Sequence, residues 1–230
     1  LVASLDEQGP MESSLRSIKL TQGSMRSDSG SLTSDEMTIG FVPMNNGTGV
    51  TPSTLDADGS VLGVSVDGRV ETAQLDAILV REPDGQTRVR RATAIGSTEF
   101  LGENQTRASG QRVELNTDND TIHIIGSRGD KGSAGQGGSI IQGEDIWINT
   151  RSRSIQVNGA GTFDHDIVTD GVATGGHLNV KWTESMRFDD AIGSIECAGD
   201  VVALSTPDAY TTDTLKADRL EIDLTPTGET

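Results

Sequence analysis

Aromatic residues, cysteine and helical patterning are all scarce in this 230-residue chain. Phe, Trp and Tyr number 4, 2 and 1, too few to furnish the stacking side chains of a glycan-active cleft. The single cysteine, Cys197, excludes an internal disulfide framework and a cysteine-cluster zinc site, and it leaves the redox compartment open. No run approaches the ~18 apolar residues of a membrane-spanning helix. Basic residues are outnumbered, 18 Lys and Arg against 35 Asp and Glu, for a net charge of −17. A charge of that sign opposes broad binding to nucleic acid or to an anionic membrane. No stretch of twelve residues carries an apolar stripe at i, i+3, i+4, i+7. Missing too are a G-x-S-x-G elbow, a phosphate-binding Walker loop and an H-E-x-x-H pair, so a non-enzymatic role is expected. The chain begins at Leu1 without a methionine or a signal-like segment and reads as a fragment of a longer chain, with any export signal or anchor upstream.

What is present is glycine, 28 residues of it, and short runs in which aliphatic and polar residues alternate. Such alternation predicts half-buried strands and an all-β protein. A pattern also recurs: apolar-x-apolar, a polar gap, apolar-x-apolar, then glycine. One copy runs from Val113-Glu-Leu115 to Ile122-His-Ile124 and Gly126. The second runs from Ile146-Trp-Ile148 to Ile155-Gln-Val157 and Gly159, and the third from Met186-Arg-Phe188 to Ile195-Glu-Cys197 and Gly199. A fourth opens at Leu220-Glu-Ile222. Leu115 to Ile122, Ile148 to Ile155 and Phe188 to Ile195 are each seven residues apart. Three residues before each copy stands a small residue: Gly110, Gly143, Thr183 and Ala217.

The constant spacing predicts a hairpin. Folding each copy at its midpoint sets Leu115 opposite Ile122, Ile148 opposite Ile155 and Phe188 opposite Ile195. It likewise pairs Val113 with Ile124, Ile146 with Val157 and Met186 with Cys197. Because strand neighbours alternate sides, all of these side chains, with Leu220 and Ile222, share one inward face. The other face carries Glu114, His123, Trp147, Gln156, Arg187, Glu196 and Glu221 and is mostly polar. Turns are expected at Asp118-Asn119 and Arg151-Ser152, with a looser loop at Ala191-Ile192. A two-strand unit of this kind cannot bury its own apolar face, so the units must stack. Residues 106–230 carry the clear repeats and 1–105 less regular strands, with Ser17–Thr21, Ser60–Val66, Val70–Val80 and Arg88–Ala94 the best candidates. Asp67-Gly68 and Asp84-Gly85 are hairpin signals, and Asn45–Pro52 reads as a loop. So does Gly126–Gly138, with its six glycines. No composition break marks a second domain, and one continuous β domain over 1–230 is expected.

The repeat resembles that of the OstA-like (LptA–LptC) superfamily of lipopolysaccharide-transport proteins, which also includes the N-terminal domain of the outer-membrane LPS-assembly protein. The residues that carry the likeness are Gly143-Glu-Asp-Ile-Trp-Ile-Asn-Thr-Arg-Ser-Arg-Ser-Ile-Gln-Val-Asn-Gly159, the opening Ala217-Asp-Arg-Leu-Glu-Ile222, and the closing half Ser17-Ile-Lys-Leu-Thr-Gln-Gly23. The resemblance implies an antiparallel β-jellyroll, or β-taco: two facing sheets around an aliphatic interior that shields acyl chains. It also implies a periplasmic or cell-envelope location, lipopolysaccharide or another acyl lipid as ligand, and edge-to-edge strand contacts with sister domains. Weak self-association through terminal strands is expected in addition. No cofactor and no nucleic-acid partner follow from it.

Other residues invite chemistry and are better explained plainly. Asp164-His165-Asp166 has no second cluster at metal-ligand spacing. Asp56-Ala-Asp58-Gly59 has only part of a calcium loop and reads as a turn. Arg128-Gly129-Asp130 spells an adhesion tripeptide inside a glycine-rich stretch. Arg88, Arg90, Arg91, Arg151 and Arg153 read as scattered solvated charges, and His123 as an exposed strand histidine. Two readings of function stand: a lipid-handling domain with an aliphatic groove, and a structural or adhesive β-repeat scaffold whose aliphatic face is a filled core.

Overall fold

Alternation without a helical period folds as strands throughout. The computed structural model describes residues 2–7, 13–27, 30–44, 49–66, 68–102, 106–127, 129–169, 172–189, 191–207 and 210–223. They form β1 (Val2–Glu7), β2 (Ser13–Ser27), β3 (Gly30–Pro43), β4 (Val50–Ser65), β5 (Gly68–Arg81), β6 (Thr87–Gly102), β7 (Arg107–Asn116), β8 (Thr121–Ile125), β9 (Gly132–Gln136), β10 (Ser139–Asn149), β11 (Ser154–Thr169), β12 (Val172–Trp182), β13 (Ser185–Asp189), β14 (Ser194–Thr206) and β15 (Asp213–Asp223). The fold is all-β, with antiparallel pairing between neighbouring strands. The chain divides into two compact units, one of Leu1–Phe100 with Arg112–Asn119, the other of Leu101–Gln111 with Asp120–Thr230.

In the first unit, strands β2 to β5 follow one another as antiparallel neighbours, and β4 carries the extra residues of bulges against both β3 and β5. Register slips between Thr33 and Glu36 and between Asp58 and Val61. There Gly59 and Ser60 take φ of 72° and 47°, and two strands away on either side Gln22 on β2 takes 48° and Gly96 on β6 83°. An extra residue in one strand kinks it and raises its twist. Aligned across the strands, the kinks make a bend line. Leu32 lies on one side of that line and Met37 and Ile39 on the other, yet all three join Leu55, Ala57, Val61 and Ala77 in one buried cluster. A single flat sheet could not cover them; the bent halves cover each other.

The second unit repeats the device. The first half of β10 pairs with β9 and its second half with β8, the change falling at Gly143/Asp145. β11 divides its partners likewise between β13 and β12, and β14 between the same two. Gly159 and Gly199 sit at the bends with φ of 85° and 80°, a conformation open to glycine at little cost. The closing glycine of the repeat is therefore a bend residue. The small residue that opens it is one too: a Cβ on Gly143 would collide with Val157 Cγ1.

Several expectations need correction. Val50–Pro52 is not loop but the start of β4, paired with Pro43, Val42 and Phe41. The glycine-rich stretch is not simply an exposed loop: Gly132–Gln136 is strand β9, with Gly132 and Ala134 buried. Its glycines permit close approach, since a Cβ on Gly132 would meet Ile124 Cγ2 at 2.8 Å. Asp56-Ala-Asp58-Gly59 is neither turn nor calcium loop but strand, with Ala57 inside and the two aspartates exposed on the other face. The third hairpin closes at the same register as the second, while Asp190 of its turn lies outside the described residues. Asp189 pairs with Ser194 as Asn149 pairs with Ser154, and Gly193 takes φ 65° where Arg153 takes 54°. Arg128 and Asp67 lie outside the described residues.

Candidate functional site

The pairs expected in the second and third copies of the repeat come together in register. Ile148 faces Ile155 and Ile146 faces Val157; Phe188 faces Ile195 and Met186 faces Cys197. The hairpins also join side by side. Ile122, Ile148, Ile155, Phe188, Ile195 and Ile222 make one row across β8, β10, β11, β13, β14 and β15. Ile124, Ile146, Val157, Met186, Cys197 and Leu220 make a second row beside it. Val113 and Leu115 belong to the first unit and are half-buried on β7.

The two rows differ in burial. Next to the bend, Ile124, Ile146, Val157, Met186 and Cys197 are fully or almost fully buried, and only Leu220, on the last strand, is half-buried. Next to the turns, Ile122, Ile148, Ile155, Phe188 and Ile222 are half-buried and Ile195 alone is buried. The bend itself is filled. Trp182, 2% exposed, lies against Gly161, where a Cβ would strike the indole, and its Nε1 donates to Gly159 O at 3.0 Å. Along the other half of the same face run Ala134, Ile141, Phe163, Val180, Ala203 and Leu215 in register. The arrangement is a wedge, solid at its bend and aliphatic toward its turns. Burial pushes the Cys197 thiol up to about 11, so it behaves as a small hydrophobe.

The outward face is polar and internally paired. His123 is more shielded than expected. Its ring stacks on Trp147 at 3.7 Å between centroids, and Nε2 lies 2.6 Å from Asp145 Oδ1. Burial pushes the Asp145 carboxyl up, but hydrogen bonds from Asn158, at 2.8 Å, from His123 and from Trp147 outweigh it and hold the group below the usual carboxylate range. Asp164 and Asp166 point away from His165 and flank His177, at 3.2 and 3.3 Å. Among the described residues no three His, Cys, Asp or Glu side chains are placed to hold a metal ion. Arginines are neutralised locally. Arg90 and Arg91 reach Asp118, Arg88 reaches Asp84, and Arg151 reaches Asp120.

The sequence reading missed two copies of the repeat in the first unit. Ser34-x-x-Met37-x-Ile39 and Thr72-x-x-Leu75-x-Ala77 are openings, and Leu55-x-Ala57-x-Gly59 and Ala92-x-Ala94-x-Gly96 are closings. They escape a search on spacing because the arms between them are longer and alanine fills core positions. The sequence signal they share with the third copy is a hydroxyl residue three positions before the first apolar one, Ser34 and Thr72 matching Thr183. The hydroxyls of Ser34 and Thr72 each donate to the carbonyl two residues on, Glu36 O at 2.8 Å and Gln74 O at 3.2 Å.

No protein-family model matches the chain, and no curated protein matches it. Among solved structures the chain is similar to LptH, the LptA-homologous periplasmic component of the conserved lipopolysaccharide transport device from Pseudomonas aeruginosa, at 13% identity and a TM-score of 0.39, over 60% of this chain and 82% of that one.

Proposed function

We propose that the chain is a non-enzymatic lipid-binding or bridging domain of the periplasm or cell envelope. Its aliphatic face receives the acyl chains of lipopolysaccharide or of another acyl lipid. The observation that carries this reading is the row Ile122, Ile148, Ile155, Phe188 and Ile222, half-exposed on five strands and broken only by buried Ile195 on β14, while the row beside it is closed except at Leu220. A row of isoleucines and one phenylalanine crossing strands ~4.8 Å apart gives an apolar track for a flexible chain. The last strand, β15, pairs only with β14 among the described residues, so its outer edge is open to a strand from a sister domain.

The test is a photo-crosslinking amino acid placed at Ile148 or Phe188 during expression in an envelope-bearing bacterium. Lipid adducts at these positions and none at outward-facing Gln156 are expected. Failure to trap lipid at any position of the exposed row overturns the reading. The second reading, a scaffold with a filled core, is favoured by one observation: Ile124, Ile146, Val157, Met186 and Trp182 leave the bend side of the wedge closed. On that reading the half-exposed row is the tapering margin of the core.

A further inference from the structure

The inner face of the second unit changes character at one register step. Beyond the row that contains Ile141, Phe163 and Val180, the same face carries Gln136, Ser139, His165, Leu178, Ser205 and Asp213, also in register. It is the first polar row met when moving outward from the bend on that wall. The facing wall ends instead in the apolar row of Ile148, Ile155 and Phe188. One lip of the wedge is therefore polar and the other apolar.

His165 is held in place on the polar lip. Its ring lies nearly parallel to Phe163, at 12° and 6.0 Å between centroids, and its Nδ1 is 2.9 Å from Ser139 Oγ. When the Ser139 hydroxyl donates to Nδ1, the neutral ring carries its proton on Nε2. Nε2 has no hydrogen-bond partner among the described residues. Asp213, the one acidic group of the row, stands on β15, three strands from His165 and so roughly 14 Å away. An oxygen anion is therefore accommodated at the His165 end and repelled at the other.

We propose that His165, positioned by Ser139, holds the oxygen-anion head of a single-chain amphiphile whose tail lies along the apolar row. The head is a carboxylate or a phosphate monoester, which share the same acceptor chemistry. The assignment rests on the acyl-binding reading above and adds a head to the tail.

The test uses the whole 230-residue chain and titrates palmitate, hexadecyl phosphate and hexadecanol in parallel, each below its critical micelle concentration. A charge-assisted hydrogen bond predicts that the anions bind about tenfold more tightly than the alcohol. His165→Leu should bring all three to within about twofold while leaving hexadecanol unchanged. His165→Gln, which keeps a donor, should recover part of the preference, and Ser139→Ala should lose part of it. Protection of Cys197 from alkylation reports that each variant is folded. Which of the two anions binds more tightly tells a fatty-acid head from a phosphorylated one. If the three probes bind the native chain equally, or if His165→Leu keeps the preference, the head assignment is overturned and the acyl reading stands. If none binds, both fall.

Discussion

At the scale of single residues, two kinds of glycine and one carboxylate matter most. Gly159 has φ 85° and open space around its missing Cβ, so replacing it with alanine costs only backbone strain, about 1–2 kcal/mol. Gly143 has an ordinary φ but faces Val157, so Gly143→Ala costs about 1–3 kcal/mol through overpacking. Combining each with Val157→Ala separates the causes. Urea unfolding should show that the Val157 truncation relieves part of the Gly143→Ala defect and none of the Gly159→Ala defect. Asp145 sets a pH dependence. Its folded-state value is lowered, so its stabilisation is fully present above the unfolded carboxylate range and is lost as pH falls through the folded value. Asp145→Asn should flatten the acid side of a melting-temperature profile below about pH 4, while Asp56→Asn should not. Burial, and Asp76 directly across the ladder, hold Asp56 above its usual range, so its ionised form opposes folding at neutral pH.

At the scale of elements, the bend line decides which strands can exist. β9 is the clearest case, because composition alone assigns its glycines to a loop. Gly132 must pass close to Ile124, whereas a Cβ on Gly129 would meet nothing within 4 Å. Gly132→Ala should therefore cost about 1–3 kcal/mol, and Gly129→Ala should be neutral or slightly stabilising, as thermal unfolding of the two variants will show. Equal effects would mean that β9 is not packed as described. The hairpins of the second unit were legible because their turns are short and their registers symmetric. The arms between Ile39 and Leu55 and between Ala77 and Ala92 have no fixed spacing to search for, and alanine at Ala57, Ala77 and Ala94 hides core positions among ordinary small residues.

At the scale of the whole molecule, the charge of −17 is the dominant long-range term. The acidic ladder of Glu36, Asp58, Asp56 and Asp76 shows how it sits on outward faces, with few cations across it. Self-repulsion destabilises a compact chain and keeps copies apart, and both effects act through a Debye length of ~10 Å at 0.1 M salt. Raising NaCl from 10 to 300 mM should raise the melting temperature by a few degrees and shift light scattering toward weak self-association through exposed edge strands. A melting temperature and molar mass that do not respond to salt would place the governing interactions elsewhere.

The sequence by itself determined the class of fold, the face each repeat turns inward and the hairpin register of Ile148 with Ile155 and Phe188 with Ile195. Alternation of period two and a constant seven-residue spacing are local facts that survive any tertiary context. Only the tertiary structure decided where strands bend, because a bulge follows from which partner each half-strand finds. It alone decided that the inner row is closed and the outer row half-open, since burial depends on the distance of each row from the bend. The scarcity of aromatics and of helical patterning thus proved informative about the inner face. That face is aliphatic, bent by glycine, and packed hardest where glycine is found.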